Sequence, residues 1–302
     1  MIIRLIFLVL FSICIIQSKE DENPPPVLDL RDFRGVIDGV TINDIDGLLP
    51  DKGEGNIALS EDQINQIKEK AKNFIPNPLS ENDFIVFKTN FGLMKFKLYS
   101  NESPINCLNF KKLANSKFYD KTLFHNVIPR FIVQGGDILS RNYDPDDDGF
   151  GGPGWTVVSE VNHLKHQKGT LSMVRSPNDV NSAGSQFFIS LSDNKTLDNN
   201  YTIIGQLIEG EHVLSRIGKI PSENTQAKLA CKVSIPDEED PKNWVELIDP
   251  ISKNIIYSKI PDNQDRDIYI EEMNKMLHNL YKPGISIIID SIRVINEKNI
   301  NK

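Results

Sequence analysis

Basic residues are in deficit in this 302-residue chain: 34 Lys and Arg stand against 42 Asp and Glu, a net charge of −8. No block of Lys or Arg offsets that balance. A general affinity for nucleic acid or anionic membranes, which needs a basic surface, is therefore excluded. Cysteine is scarce at three residues, and the chain is long enough to build a core without disulfides or metal. No Cys/His metal spacing, phosphate loop or Ser-His-Asp grouping is legible, so metal-binding, nucleotide-binding and hydrolase readings gain no support and no cofactor is expected. Long apolar runs are missing beyond the first 18 residues, and no internal repeat is visible. The remaining composition, 39% apolar and 25% charged, is that of a globular protein and rules out collagen, a mucin-like stalk, a polytopic membrane protein and a fully disordered chain. At about 150 residues per domain the length allows two domains, or one with large additions.

Residues 1–18 place one cation, Arg4, before a continuous apolar run from Leu5 to Ile16. The run is too short to span about 30 Å of hydrocarbon, and it has the pattern of a signal peptide. A buried helix is disfavoured by Lys19-Glu20-Asp21-Glu22, which follows without amphipathic continuation. Ile13, Ile15 and Ile16 make poor surroundings for lipidation at Cys14. The expected location is thus secreted or otherwise extracytoplasmic, with no membrane span after signal removal. Cys107 and Cys231 remain in the mature chain; an oxidising compartment would permit a disulfide between them, but they read as two independent buried thiols.

Residues 19–81 read as an acidic arm, with Pro24-Pro25-Pro26 and one short helix. Ser60 and Gln63 form a capping box before Ile64, Ile67 and Ala71. From Phe84 the periodicity turns to two. Phe84 and Val86, then Met94, Phe96 and Leu98, alternate with more polar positions around a Gly92 turn, which predicts a hairpin. Ser103 as N-cap and Pro104 at the first helical position open a helix, with Ile105, Leu108, Leu113 and Ala114 as its buried face. Short strands are expected at 123–128, 131–134, 169–173, 187–190 and 201–207, and a helix at about 211–217. Many short strands with few helices indicate an antiparallel sandwich or barrel. Residues 221–283 break the rhythm with an acidic loop, strand candidates near Val245 and Ile255, and a helix carrying Ile270, Met273, Leu277 and Leu280 on one face. Ile285, Ile287 and Ile289 begin a last strand.

The densest motif is Phe124-His125-Asn126-Val127-Ile128, running on through Phe131-Ile132-Val133-Gln134-Gly135-Gly136-Asp137. Gly151-Gly152-Pro153-Gly154, Gly169-Thr170-Leu171-Ser172-Met173, Ser185-Gln186-Phe187-Phe188 and Leu197-Asp198-Asn199-Asn200-Tyr201 follow in order. Together they resemble the cyclophilin family of peptidyl-prolyl cis-trans isomerases, from about Phe84 to Ile220 and again in the last strand. The resemblance implies a mainly β fold, a closed eight-stranded antiparallel barrel capped by two helices, with the domain at 82–297 interrupted by an insertion at 221–283. It implies catalysis of Xaa-Pro rotation without cofactor or metal, on proline-containing peptides or unfolded proteins. The matching substrate pocket is Phe131, Ile132, Gln186, Phe188, Leu197 and Tyr201, with Gln134 holding a substrate carbonyl. His125 belongs to the motif and is also read as a buried structural residue.

One departure bears on the chemistry. The family reads Phe-His-Arg-Val-Ile, with that Arg as the catalytic donor, and this chain has Asn126 there. The expectation is an exported isomerase assisting protein folding, with turnover reduced by the shorter, neutral donor. The alternative is a catalytically weak proline-binding chaperone or scaffold. Arg130 and Arg175 are candidate substitutes. The family's segment is shorter than 174–183 here, and Thr196 stands where many members carry Trp. Asp144 to Gly149 matches half of a calcium loop, but position 12 would be Trp155, so a solvated acidic loop is the expectation. Asn101, Asn194 and Asn200 head glycosylation acceptor patterns.

Overall fold

The computed structural model describes residues 58–142, 144–221, 231–248 and 254–296. The signal-peptide pattern, Cys14 and most of the acidic arm lie outside the described residues. Helix α1 (Glu61–Asn73) begins with the anticipated capping box: Gln63 N–H donates to Ser60 Oγ, and Ser60 N–H donates to Gln63 Oε1 at 2.9 Å. Strands β1 (Asp83–Thr89) and β2 (Gly92–Leu98) form the hairpin. Gly92 closes it at φ 129°, where a Cβ would meet the Val213 side chain at 2.8 Å. Helix α2 (Pro104–Asn115) follows, then β3 (Thr122–Leu123), β4 (Asn126–Ile128), β5 (Ile132–Gly135), β6 (Thr170–Met173), β7 (Phe187–Ser190), β8 (Ile203–Glu209) and helix α3 (Glu211–Ile217). The excursion contributes β9 (Trp244–Ile248), β10 (Ile255–Lys259) and helix α4 (Arg266–His278), and β11 (Ile288–Asn296) returns to the main sheet.

That sheet is antiparallel and nine-stranded, ordered β3-β11-β1-β2-β8-β6-β7-β5-β4. The expected count was eight. The expected strand at 123–128 is broken at Phe124-His125, so it enters twice, as β3 at one end of the order and β4 at the other. Phe124 N–H is taken by the Ile287 carbonyl and Val127 N–H by the Tyr281 carbonyl, partners outside any strand. The curled sheet encloses an aromatic core in which Phe87 meets Phe96, Phe110, Phe124 and Phe187 at centroid distances of 5.0–6.4 Å.

Two sequence readings of buried faces are corrected. In β1 the core side chains are Ile85 and Phe87, opposite Phe96 and Met94, while Phe84 and Val86 are half-buried on the outer face. The run Phe84-Ile85-Val86-Phe87 is apolar on both faces, so period two alone does not choose between them. In α2, Ile105 and Leu108 are 47% and 40% exposed, whereas Asn106, Cys107, Asn109, Phe110 and Lys111 are buried with Leu113 and Ala114. Each polar member of that face has a partner, with Asn106 Oδ1 the one buried side-chain oxygen on it left without one among the described residues. Asn109 donates to the Gly184 carbonyl and accepts from Trp155 Nε1, and Lys111 pairs with Asp83 at 2.6 Å. Ser103 occupies the N-cap, but its hydroxyl donates to the Ile203 carbonyl. The helix end is instead capped by Glu160, whose carboxylate accepts from Ile105 N–H and Asn106 N–H at 3.0 and 2.8 Å.

The excursion has an apolar cluster of its own, with Val245, Leu247 and Ile256 of the β9–β10 hairpin against Tyr269, Met273 and Leu277 of α4. Cys107 and Cys231 are free thiols; Cys107 is buried as expected, whereas Cys231 is only half-buried. Among the described residues no helix is long and apolar enough to cross a membrane.

Candidate active site

Strand register sorts the motif residues onto two faces. Along one row, Val127 faces Val133, Val133 faces Ile189 and Ile189 faces Leu171; all four are in the barrel core. The neighbouring row runs Asn126, Gln134, Phe188, Ser172 across β4, β5, β7 and β6. Side chains alternate along a strand, so this second row stands on the outside of the barrel. The interruption at Phe124-His125 puts Asn126 at the start of β4, at one end of the sheet order, where it stays half-buried.

Ile132, Phe188, Leu197 and Tyr201 gather on that outer face into an apolar cluster distinct from the core, with Val174 as a fifth member and Phe131 and Ile128 packed at its margin. Tyr201 stands edge-on to Phe188 at 5.2 Å. A relay of amides adjoins this cup. Asn126 Nδ2 donates to Gln134 Oε1 at 3.3 Å, Gln134 Nε2 donates to Gln186 Oε1 at 2.9 Å, and Gln186 Nε2 donates to the carbonyls of Gly149 and Gly151. The relay fixes the orientation of each amide, since its end is anchored on backbone oxygens.

His125 lies apart from the cup. It is buried, and its Nε2 is 3.9 Å from where a Cβ on Gly149 would sit. Burial pushes the imidazole down to about 4, opposed only in part by a backbone contact to Leu123. Behind it, Asp137 accepts from the backbone N–H of Leu139, Gly149 and Gly151. Burial and the nearby Asp137 push Asp148 up to about 7. In the acidic loop, Asp146 pairs with Lys275 at 2.9 Å and Asp147 accepts from Asn142.

Sequence reasoning missed one cluster beneath the cup. Ser172 Oγ is 3.0 Å from His166 Nε2, and His166 Nδ1 is 3.1 Å from Asp198 Oδ1. A Ser-His-Asp grouping is therefore present, contrary to the sequence reading. Its members are scattered over 166–198 in an order no spacing rule marks. His166 stacks on Phe188 at 5.9 Å and Ser172 is fully buried, so the hydroxyl has no access to a substrate carbonyl. Burial lowers the pKa of His166, which keeps it neutral and suits it to a floor for the aromatic cup.

Arg175 lies at the rim, its guanidinium 5.3 Å from the Tyr201 ring centroid. Nε donates to the Asn200 carbonyl and Nη1 to those of Ser176 and Pro177. Arg130 is exposed at φ 59° in the turn between β4 and β5.

An apolar cup beside fixed amide donors suits a substrate whose reacting atom is held in a ring between two peptide groups. Rotation about an Xaa-Pro bond is opposed by amide resonance, a barrier of about 18–20 kcal/mol. Twisting localises a lone pair on the proline nitrogen. A donor aimed there stabilises the twisted state more than either planar one, which is the differential binding that accelerates a reaction. Asn126 Nδ2 has a second N–H beyond the one given to Gln134.

Comparison with known proteins gives the same reading. The family model for cyclophilin type peptidyl-prolyl cis-trans isomerase matches residues 84–237. A peptidyl-prolyl cis-trans isomerase of Arabidopsis thaliana is 37% identical over 48% of this chain and 86% of its own length. A peptidyl-prolyl cis-trans isomerase-like 1 protein of Neurospora crassa is 36% identical over 52% of this chain and 96% of its own. A mouse protein named a probable inactive peptidyl-prolyl cis-trans isomerase-like 6 is 34% identical over half of each chain. A Cryptosporidium parvum cyclophilin type isomerase, crystallised in the presence of the dipeptide Ala-Pro, is 27% identical with TM-score 0.47 over 70% of this chain and 98% of its own.

Proposed function

Because the chain belongs to the cyclophilin-type peptidyl-prolyl cis-trans isomerase family, we propose that it rotates Xaa-Pro bonds in the Ile132–Phe188–Leu197–Tyr201 cup at a rate reduced by Asn126. The observation that carries this reading is the amide relay: the residue in the donor position is a neutral amide with one N–H already given to Gln134 at 3.3 Å. Gln134 and Gln186 grip the peptide backbone, and the cup takes the proline ring. Phe131 closes one margin. His125 contributes by filling space behind Asn126 rather than by touching substrate.

The second reading, a proline-binding chaperone or scaffold with little turnover, is favoured by the same Asn126 and by the mouse relative named as inactive. NMR exchange spectroscopy on an Xaa-Pro peptide separates the two, since it reports binding and rotation independently. Exchange enhancement at saturating binding supports an enzyme; binding with uncatalysed exchange supports the scaffold. Failure of proline peptides to bind overturns both.

The pattern at residues 1–18 supports export, with folding of proline-containing proteins outside the cytoplasm as the role. Mass analysis of the chain recovered from its own cells tests this: a mature N-terminus near Ser18 is expected, and an intact Met1-Ile2 start in the cytoplasmic fraction overturns it.

A further inference from the structure

The groove that continues the cup carries two cations and no acid. It has a volume of about 630 Å³ and runs between the Gly151–Thr156 stretch and the Val174–Ser176 stretch. Val174 also belongs to the proline cup and Gln186 to the amide relay, and both line this groove, so a peptide seated by its proline has its neighbouring residues beside it. A Cβ added at Gly152 would meet nothing within 4 Å, which leaves the wall open to an incoming side chain.

The cations come from different parts of the chain. Arg175 uses Nε and Nη1 on backbone carbonyls, a bracing that fixes the guanidinium and leaves Nη2 for a ligand. Lys68 comes from α1, upstream of the 84–237 stretch that the family model matches. It is half-buried at the groove. Among the described residues no acid lines the groove beside it; Asp137, on which its charge acts, is fully buried, with its carboxylate occupied by three backbone N–H groups. The charge of Lys68 is therefore presented to the groove.

We propose that the groove selects peptides with an acidic side chain close in sequence to the proline, received by Lys68 and Arg175. This rests on the proline-binding reading above and narrows its substrate class. The N-terminal helix then acts as a specificity element added to the barrel.

The test uses the full chain and a set of short peptides with one central proline, in which Glu, Gln or Lys is placed in turn at each of three positions on either side. Binding is measured by calorimetry. At one or two positions Glu is expected to bind about two- to fivefold tighter than Gln, the range for partly exposed ion pairs. That advantage should shrink at about 0.5 M salt. Lys68→Glu should cancel the Glu preference or turn it towards Lys, and Arg175→Gln should weaken it. Equal affinity for Glu and Gln at every position, with the Gln peptides still binding, overturns the proposal and leaves the proline-binding reading standing. A Glu preference unchanged in Lys68→Glu overturns the role of α1. If Gln and Glu peptides alike fail to bind, the proline-binding reading falls and this proposal falls with it.

Discussion

Replacing Asn126 by Arg should raise the catalytic efficiency of this protein, and the structure sets the size of the gain. The Asn126 amide gives one N–H to Gln134 at 3.3 Å, and Gln134 is itself held by Gln186 at 2.9 Å. A single neutral N–H is left for the proline nitrogen in the twisted state. Such a hydrogen bond contributes about 1 kcal/mol, and one from a charged donor about 1.5–3 kcal/mol. The difference, about 0.5–2 kcal/mol, corresponds to roughly 2- to 30-fold in kcat/KM. Asn126 is half-buried on the outer face of β4, and its pairing with Gln134 runs through the backbone, so the longer side chain displaces no core residue. NMR exchange with a Pro-containing peptide reads both quantities. The gain should fall on kcat with little change in Kd, because the donor engages a lone pair that planar amides do not offer. An Asn126→Arg protein that binds the peptide as tightly as the native one, yet shows the same kcat/KM, would refute the argument that the donor limits turnover.

Three further outcomes follow from groups outside the cup. His125 is held down to about 4 by burial against about 6.5 in the unfolded chain. The unfolded state thus binds the extra proton between those values, so stability rises with pH through the window and is lost as pH falls. Urea melts should show about 2 kcal/mol lost between pH 6.5 and 5 from this group, and His125→Gln should remove that share of the slope. Lys111→Met strands the buried Asp83 carboxylate, whose remaining partners are Ser80 N–H and Asn296 Nδ2, and should cost about 3–5 kcal/mol by chemical denaturation, part of it recovered by adding Asp83→Asn. Ser172 should stay unlabelled by a fluorophosphonate probe in the native protein; labelling would show that the buried Ser172–His166–Asp198 cluster opens to solvent.

The sheet and the cup were legible because they rest on local chemistry. A capping box, a Gly at positive φ and a period-two run each act over a few residues, and the structure carries all three at 60–63, 92 and 94–98. The proline cup was legible because its apolar members sit in short motifs whose outward face the register then brings together. The misreadings share a cause. The buried face of α2 contains Asn106, Asn109 and Lys111, whose partners are Glu160, Gly184, Trp155 and Asp83. A hydrophobicity pattern discards such residues from a core, because it cannot see that a partner distant in sequence removes the cost of burying them. Ser103 fails as a side-chain cap for the same reason, since Glu160 arrives from 55 residues away to do that work.

The excursion shows the same limit where it touches the site. Its α4 helix was readable from Met273 and Leu277, which are buried against β9 and β10. What it does for β4 was not readable. β4 lies at one end of the sheet order, paired to β5 alone. Val127 N–H is one donor on its open side, and the Tyr281 carbonyl accepts it at 2.9 Å. Lys275 and Asn279 hold Asp146 in the loop that leads to Gly149, whose carbonyl anchors Gln186. The insertion thus braces both ends of the amide relay, the strand bearing Asn126 and the backbone oxygen that orients Gln186. An unpaired strand edge frays, and a donor on a fraying strand spends less time aimed at the substrate. The residues that set the rigidity of this site therefore include some 150 positions beyond the motif that names it.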